Sequence, residues 1–181
     1  MTSPPFELET ERLWLRAPRA ADAPAIFERY ASDVEVVRYL SWPRHADVAA
    51  SRAFVAWSEA EWARGPAGPL LAFARDDGAL LGSTGLAFEA PTRAATGYVL
   101  ARDAWGRGLA TEMLAEMVAW AAREGVERLH AFCHPDHRAS ARVLEKGGFA
   151  LEARLRAHTE FPNLSPGVAS DVLCYVAAPA S

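Results

Sequence analysis

The chain is poor in cysteine and has no long apolar stretch. Its 181 residues include two cysteines, Cys133 and Cys174. Each lies in a short apolar run, which favours buried free thiols over a disulfide framework. The cysteines and the five histidines lack the spacing of metal ligands, so we expect no metal site. No run reaches the roughly 18 apolar residues that a membrane span needs, so we expect no membrane partner.

An excess of positive charge is also missing. Lysine and arginine number 19 against 23 aspartates and glutamates, and the net charge of −4 disfavours nucleic acid as the main ligand. Residues 1–5 lack the charged-then-apolar pattern of a secretory signal, and we expect a cytoplasmic protein. A hydrophobic fraction of 51% and a charged fraction of 23% are typical of a soluble globular protein. The length predicts a single domain over residues 1–181.

Hydrophobic periodicity predicts strands and helices in the order β-α-α-α-β-β-β-α-β-α-β-β. Asp22, Asp33 and Asp47 stand where N-caps of the first three helices belong. The predicted strands cover residues 12–16, 70–75, 80–88, 94–101, 129–133, 149–159 and 172–177. The predicted helices cover residues 22–32, 33–39, 48–64, 107–124 and 138–146. The predicted apolar face of the third helix is Ala53, Phe54, Trp57 and Ala60. This order predicts an α/β protein with a mixed sheet and helices on its faces.

A glycine turn between a strand and a long helix is the most informative feature of the sequence. It follows Tyr98-Val99-Leu100 and reads Trp105-Gly106-Arg107-Gly108-Leu109-Ala110-Thr111-Glu112. The first N–H groups of a helix have no intrahelical partner and lie at the positive end of the helix dipole. Glycines there let a bulky anion approach the backbone, and Arg107 adds a positive charge. The turn therefore predicts a site for a phosphorylated cofactor.

Two common nucleotide motifs do not fit this turn. Thr111 stands where a G-x-G-x-x-G frame requires its third glycine, and the sequence has no Gly-Lys-Ser/Thr of a P-loop. On spacing alone, two glycines before a helix are also compatible with plain turn chemistry.

Three blocks of the sequence resemble the GNAT superfamily of N-acetyltransferases, most of all its RimJ/RimL-like branch of ribosomal-protein N-terminal acetyltransferases. The glycine turn, preceded by Gly97-Tyr98-Val99-Leu100, is similar to the acetyl-CoA-binding motif of the superfamily. A block similar to the first strand of the branch reads Leu8-Glu9-Thr10-Glu11-Arg12-Leu13-Trp14-Leu15-Arg16. A block similar to its N-x-x-S segment reads His134-Pro135-Asp136-His137-Arg138-Ala139-Ser140-Ala141-Arg142-Val143-Leu144-Glu145-Lys146-Gly147-Gly148-Phe149.

The resemblance implies a GNAT-like fold, in which a mostly antiparallel mixed sheet splays between the strands at 94–101 and 129–133. The family holds the pantetheine arm of acetyl-CoA in that gap, here against the backbone of Val99 and Leu100. A backbone N–H near Leu100 would stabilise the charge that develops on the thioester oxygen. The pyrophosphate would lie on the amides of the glycine turn. The residues of this cradle are Gly106, Arg107, Gly108, Ala110 and Thr111.

By the same resemblance, Ser140 is the proton donor to the departing CoA thiolate. Many GNAT enzymes use a tyrosine on this helix, but Leu144 stands at the matching position and cannot donate. His137 replaces the usual asparagine that holds the pantetheine amide, and an imidazole offers one donor and one acceptor. The alternatives are a helix serine bonded to its own backbone for Ser140, and an N-cap neighbour without a role for His137.

The sequence identifies the acceptor-binding residues less clearly than the cofactor site. The family takes acceptor contacts from regions that match residues 32–64 and 161–170. The candidate substrate-binding residues are Trp42, His45, Glu89 and Phe161. Ala95 occupies a strand position where relatives often carry glutamate, so no base stands out. The candidate bases are Glu89, His158, Glu160 and His45, with a water chain to solvent as the alternative.

Together these features predict an acetyl-CoA-dependent N-acetyltransferase that acetylates a primary amine by direct attack. A protein N-terminal α-amine is favoured as the acceptor. The enzymatic alternative is a small-molecule amine such as an aminoglycoside or a polyamine, and the non-enzymatic alternative is an acyl-CoA-binding module. Exposed aromatic residues are compatible with a homodimer.

Overall fold

The computed structural model describes residues 6–179, which build one eight-stranded sheet in the order β1-β2-β3-β4-β5-β6-β8-β7. Neighbouring strands run antiparallel, except that β5 and β6 run parallel. The strands are β1 (Glu7–Glu9), β2 (Leu13–Arg16), β3 (Pro69–Ala74), β4 (Leu80–Ala90), β5 (Arg93–Leu100), β6 (Arg128–Cys133), β7 (Ala150–Glu160) and β8 (Ala169–Ala177).

Five α-helices connect these strands. They are α1 (Ala23–Ile26), α2 (Val34–Val37), α3 (Val48–Arg64), α4 (Leu109–Arg123) and α5 (Arg138–Lys146). A 3-10 turn (Ala20–Asp22) precedes α1, and a π-helical turn (Phe27–Ala31) continues it. Among residues 6–179, no helix combines the length and the apolar character needed to cross a membrane.

The parallel pair β5 and β6 separates part-way along its length. In the described chain their register begins at Arg93 opposite Arg128 and ends at Ala95 opposite His130. Beyond Ala95 the carboxyl half of β5 pairs with β4 alone, while the carboxyl half of β6 pairs with β8. We call the space between residues 96–100 and 131–133 the β5–β6 gap. It is the splay that the resemblance implies.

Helices cover both faces of the sheet. On one face α4 and α5 bury apolar side chains such as Met113, Met117 and Leu144 against strand residues that include Leu129 and Ala131. On the other face α1, α2 and α3 pack over β3, β4 and the end of β5. The two layers give the mixed α/β architecture that the element order predicts, with the β5–β6 gap between them.

Most predicted elements are confirmed within a few residues, and two predicted helix caps are confirmed in detail. The carboxylate of Asp33 accepts hydrogen bonds from the backbone N–H groups of Glu35 and Val36, and Asp47 accepts from Ala49 and Ala50. The short strand β1, which forms a hairpin with β2, is absent from the prediction. Cys133 and Cys174 are buried free thiols, as predicted.

Asp22 occupies the predicted N-cap position of α1, but the expected cap hydrogen bond is absent. Its carboxylate makes no cap hydrogen bond to α1 and instead binds the guanidinium of Arg16, with both N–O distances at 2.7 Å. Arg16 is 7% exposed, and a buried guanidinium requires a counter-charge. That requirement takes priority over capping a helix end that solvent can reach.

The predicted apolar face of α3 is also wrong. The helix buries Ser51, Val55 and Ser58, whereas Trp57 is 52% exposed. The hydroxyl of Ser51 lies 2.8 Å from Nδ1 of His45, so this polar group has a partner inside the protein. Hydrophobic periodicity cannot indicate a buried face that consists largely of paired or small polar side chains.

Candidate active site

Two hydroxyl groups meet beside the β5–β6 gap. Tyr98 projects from β5 toward the α4–α5 layer, and Ser140 lies in the first turn of α5. The phenol oxygen of Tyr98 is 2.9 Å from Oγ of Ser140 and 3.0 Å from the Ser140 carbonyl oxygen. Burial raises the pKa of Tyr98, so this side chain is a neutral donor at physiological pH.

These distances allow two proton arrangements. A carbonyl oxygen only accepts, so in one arrangement Tyr98 donates to it and accepts the hydroxyl proton of Ser140. In the other, Tyr98 donates to Oγ of Ser140, and the serine proton is free for a third group. Ser140 can therefore release its proton while Tyr98 turns to bond the oxygen left behind.

The glycine turn joins β5 to α4 through a left-handed backbone. Gly106 and Gly108 have φ angles of 71° and 76°, a region that L-residues with a Cβ enter at a cost of about 1–2 kcal/mol. The first intrahelical bond runs from the N–H of Glu112 to the carbonyl of Gly108 at 3.1 Å. The preceding N–H groups, those of Leu109, Ala110 and Thr111, therefore have no partner within the helix.

A clamp from the first hairpin holds this turn. The guanidinium of Arg12 donates to the Arg107 carbonyl at 2.8 Å and to Glu112 at 2.6 Å. Glu112 also accepts from the hydroxyl of Thr10 and from the backbone N–H of Arg12. Burial raises the pKa of Glu112, but the bonds from Thr10 and Arg12 outweigh that effect and lower it overall. We call Thr10, Arg12 and Glu112 the turn clamp.

The strand that leads into the turn approaches its neighbour very closely. A Cβ placed on Gly82 of β4 would overlap the carbonyl oxygen of Val99 on β5. Trp105, which is 47% exposed, donates its indole N–H to the carbonyl of Leu100 at 2.9 Å. These contacts fix the backbone of Val99 and Leu100, the two residues assigned to the pantetheine arm and the thioester.

An aromatic cluster lies where β6 meets α5. The ring of Tyr39 stacks on His137, with centroids 4.8 Å apart, and also contacts His134. His134 meets Phe161 edge-on at 4.8 Å. Burial lowers the pKa of both histidines, and the proximity of His134 lowers that of His137 further. Both imidazoles are therefore neutral at physiological pH. The structure places the His137 ring against Tyr39.

The loop that carries Phe161 is tied to the loop between α2 and α3. The side-chain amide of Asn163 donates to the carbonyls of Val37 and Trp42, and its oxygen accepts from the N–H of Arg44. Trp42 contacts His45, with ring centroids 5.3 Å apart. The predicted residues Trp42, His45 and Phe161 thus belong to connected segments, although Phe161 itself is only 4% exposed.

Glu89 lies at the closed end of the β5–β6 gap. Its carboxylate is 3.4 Å from Nε2 of His130 and 3.5 Å from the guanidinium of Arg93. His130 stands directly opposite Ala95, in the last pair before the strands separate. Sequence reasoning missed His130, Tyr98 and the turn clamp, because each acts through a partner that is distant in sequence.

A comparison with protein-family models matches residues 12–150 to the acetyltransferase (GNAT) domain. The chain belongs to the GNAT acetyltransferase family. A curated relative of this GNAT protein is the uncharacterized N-acetyltransferase YoaA of Bacillus subtilis (strain 168). The two are 30% identical over 154 residues, which cover 83% of this chain and 86% of the relative.

Solved structures share the fold of this GNAT protein. RimL, a ribosomal L7/L12 α-N-protein acetyltransferase in complex with coenzyme A, has a TM-score of 0.82 at 23% identity, covering 96% of this chain and 98% of RimL. The microcin C7 self-immunity acetyltransferase MccE, in complex with acetyl-CoA and AMP, has a TM-score of 0.83 at 19% identity. That match covers 93% of each chain.

Proposed function

We propose that this GNAT protein is an acetyl-CoA-dependent N-acetyltransferase that acetylates the α-amino group of a protein N-terminus. The observation that carries the proposal is the Tyr98–Ser140 hydroxyl pair beside the β5–β6 gap, next to a glycine turn that presents unpaired N–H groups. The turn supplies an anion site, and the hydroxyl pair supplies a proton donor.

The residues of the turn fit a CoA pyrophosphate. The N–H groups of Gly108, Ala110 and Thr111 lie at the start of α4, whose dipole favours an anion. A Cβ on Gly106 would meet nothing within 4 Å, so the space above the turn is open. Arg107 is exposed beside it. The turn clamp bonds the Arg107 carbonyl and Glu112, so the anion site is already formed before the pyrophosphate binds.

Ser140 and the β5 backbone do the chemical work in this proposal. Acetyl-CoA, when bound, supplies the acetyl group as a thioester. The backbone of Val99 and Leu100 orients the arm that carries it, and an N–H near Leu100 stabilises charge on the carbonyl oxygen. Ser140 donates a proton to the leaving sulfur, and Tyr98 stabilises the serine oxygen. His137 lines the same region with a neutral imidazole.

The acceptor region favours an acceptor whose amine is neutral and whose neighbouring groups are partly apolar. Trp42, His45 and the Tyr39–His134–Phe161 contacts present rings rather than carboxylates. An α-amine has a pKa of about 8, so a useful fraction is neutral near pH 7 without a strong base. A lysine amine, with a pKa of about 10.4, is a less suitable acceptor. RimL, a structural neighbour, acts on a ribosomal protein.

The first experiment measures CoA thiol release from acetyl-CoA against a panel of amines. The panel contains peptides with different N-termini, N-blocked lysine peptides, polyamines and aminoglycosides. We expect turnover with the free-N-terminus peptides, and mass spectrometry should place one acetyl group on the α-nitrogen. If only a polyamine or an aminoglycoside is acetylated, the acceptor is that small molecule and not a protein N-terminus.

A binding measurement accompanies the assay. Acetyl-CoA should raise the melting temperature of the protein, because a ligand that binds the native state stabilises it. A melting temperature that acetyl-CoA leaves unchanged, together with no thiol release, would refute the proposed function. A thermal shift without turnover on any amine would favour a binding module.

A further inference from the structure

A buried imidazole and a carboxylate meet at the closed end of the β5–β6 gap. The side chain of His130 is 10% exposed, and its Nε2 lies 3.4 Å from a carboxylate oxygen of Glu89, whose side chain is 42% exposed. His130 is the last residue of β6 that pairs with β5. The pair therefore lies where the two strands begin to separate.

The face of the sheet that carries this pair is opposite to Ser140. Strand side chains alternate between faces, and Leu129 and Ala131 pack into the α4–α5 layer. His130 and Phe132 therefore project from the other face, and their rings contact each other at 5.0 Å. The Tyr98–Ser140 pair belongs to the α4–α5 side. Proton donor and imidazole thus border the gap from its two faces.

We propose that His130 is the catalytic base that takes the proton of the acceptor amine, and that Glu89 stabilises its protonated form. This inference rests on the proposed function. Ala95 lies directly opposite His130 and has no titratable group. At this pair of residues, therefore, the imidazole is the side chain that can accept a proton. The exposed carboxylate of Glu89 connects the imidazole to solvent.

Two carboxylates lie near the imidazole, and Arg93 shares the carboxylate of Glu89. Glu89 reaches it from β4, and Glu152 on β7 is close enough that the charge of His130 lowers the pKa of that carboxyl. Arg128, on the same strand, is paired with Glu152 at 2.7 Å and is thereby neutralised. On β8, Cys174 lies opposite Phe132, and burial raises the pKa of this thiol. His158 lies beyond Phe132, with ring centroids 4.9 Å apart.

The proton and electron balance of the step is closed. The amine nitrogen gives a proton to the imidazole, and its lone pair forms the C–N bond with the acetyl carbon. The C–S bond breaks, and its electron pair stays on sulfur, which takes the proton of Ser140. The imidazolium, held beside Glu89, then returns its proton to solvent, and Ser140 takes a proton back from solvent, so both groups regain their starting forms. No oxidant, reductant or metal is required.

The test compares His130→Gln and Glu89→Gln with wild type at several pH values. Glutamine keeps the size and polarity of both side chains but removes the titrating group. At pH 7 we expect His130→Gln to lower kcat/KM about 100-fold, in the range of general-base catalysis. The deficit should persist above about pH 8, because the neutral amine still carries the proton that the base removes as the C–N bond forms. We expect about a tenfold loss for Glu89→Gln.

Glu152→Gln is the matched control, because it removes a second nearby carboxylate that is paired with Arg128. It should retain kcat/KM within about twofold. A readout independent of turnover is the NMR chemical shift of the His130 imidazole, which should change more in Glu89→Gln than in Glu152→Gln because Glu89 is in contact with the ring. Calorimetry should give the same CoA affinity for all variants.

Two outcomes separate this inference from the proposed function. If wild type acetylates amines and His130→Gln does so equally well at pH 7, with CoA affinity intact, the base assignment is refuted and the function stands. If Glu152→Gln and Glu89→Gln lose activity equally, the Glu89 pairing is refuted. If wild type acetylates no amine, both proposals fall together.

Discussion

Tyr98 and Ser140 share one hydroxyl contact beside the β5–β6 gap, with a phenol-to-Oγ distance of 2.9 Å. The same phenol oxygen lies 3.0 Å from the Ser140 carbonyl, so Tyr98 bonds both ends of the serine. Ser140 is therefore held in one orientation by a side chain from the strand that also lines the proposed cofactor arm. A serine at a helix surface, by contrast, rotates freely or bonds its own backbone.

Tyr98→Phe should lower kcat about tenfold, which corresponds to the loss of one hydrogen bond to the serine oxygen. Ser140→Ala should lower kcat by about 100-fold or more, because it removes the donor itself. KM for acetyl-CoA should change little in either variant. Steady-state kinetics with the best acceptor checks both values. Equal kcat values for wild type and Ser140→Ala would refute the proton-donor role.

The double variant Tyr98→Phe/Ser140→Ala distinguishes positioning from independent action. If Tyr98 acts only through Ser140, the double variant should be no slower than Ser140→Ala alone. A further tenfold loss in the double variant would show that Tyr98 has a separate contact with the reacting groups.

Gly108→Ala should weaken CoA binding and also destabilise the protein. The φ angle of 76° costs an alanine about 1–2 kcal/mol, and the nearest atom to its Cβ is Nη2 of Arg12 at 3.6 Å. Gly78→Ala is the matched control, since Gly78 has a φ of 74° in the β3–β4 turn. Calorimetry should show reduced CoA affinity for Gly108→Ala and not for Gly78→Ala. Urea unfolding should show a similar loss of unfolding free energy for both variants. Equal CoA affinities would argue against the cradle.

Glu112→Gln should loosen the glycine turn and reduce acid sensitivity. The lowered pKa of Glu112 means that its ionised form stabilises the fold above its ordinary value of 4.5. That contribution is lost as the pH falls through the lower folded-state pKa. Wild type should therefore lose more melting temperature than Glu112→Gln between pH 5 and about pH 3. Parallel curves for the two proteins would contradict this assignment.

Asp22→Asn should destabilise the protein by about 3–5 kcal/mol, because it leaves the buried guanidinium of Arg16 without a counter-charge. The two side chains are 8% and 12% exposed. Asp103→Asn provides the comparison: its carboxylate pairs with Arg29 but is 64% exposed. Its loss should cost about 1 kcal/mol or less. Urea denaturation measures both, and similar values would show that burial of the Arg16 pair has little energetic weight.

Local patterns predicted the glycine turn and the helix that follows it, because both depend on residues close in sequence, and the family resemblance singled out Ser140. The partners of these residues lie far away along the chain. Thr10 binds Glu112 across 102 positions, and Tyr98 binds Ser140 across 42. Such pairs are set by strand order and register, which hydrophobic periodicity does not specify. The same reason explains why His130 was overlooked while Glu89 was singled out alone.

The missing cap bond of Asp22 and the wrong face of α3 have a different physical origin. Asp22 has the residue type and position of an N-cap, but the buried charge of Arg16 competes for its carboxylate. The face of α3 was assigned to large apolar side chains, whereas the helix packs through small ones. Capping and apolar periodicity are weak preferences, and a tertiary contact that satisfies a buried polar group overrides them.

Asn163 joins the two segments of the proposed acceptor region into a single mechanical unit. One amide side chain bonds carbonyls on both sides of Leu40, and it joins segments 121 positions apart at Trp42. A loop exchanged from a relative without its partner segment would lose three hydrogen bonds at once. If the acceptor binds as proposed, its specificity therefore belongs to the two loops together, and a change of preference requires coordinated substitutions in both.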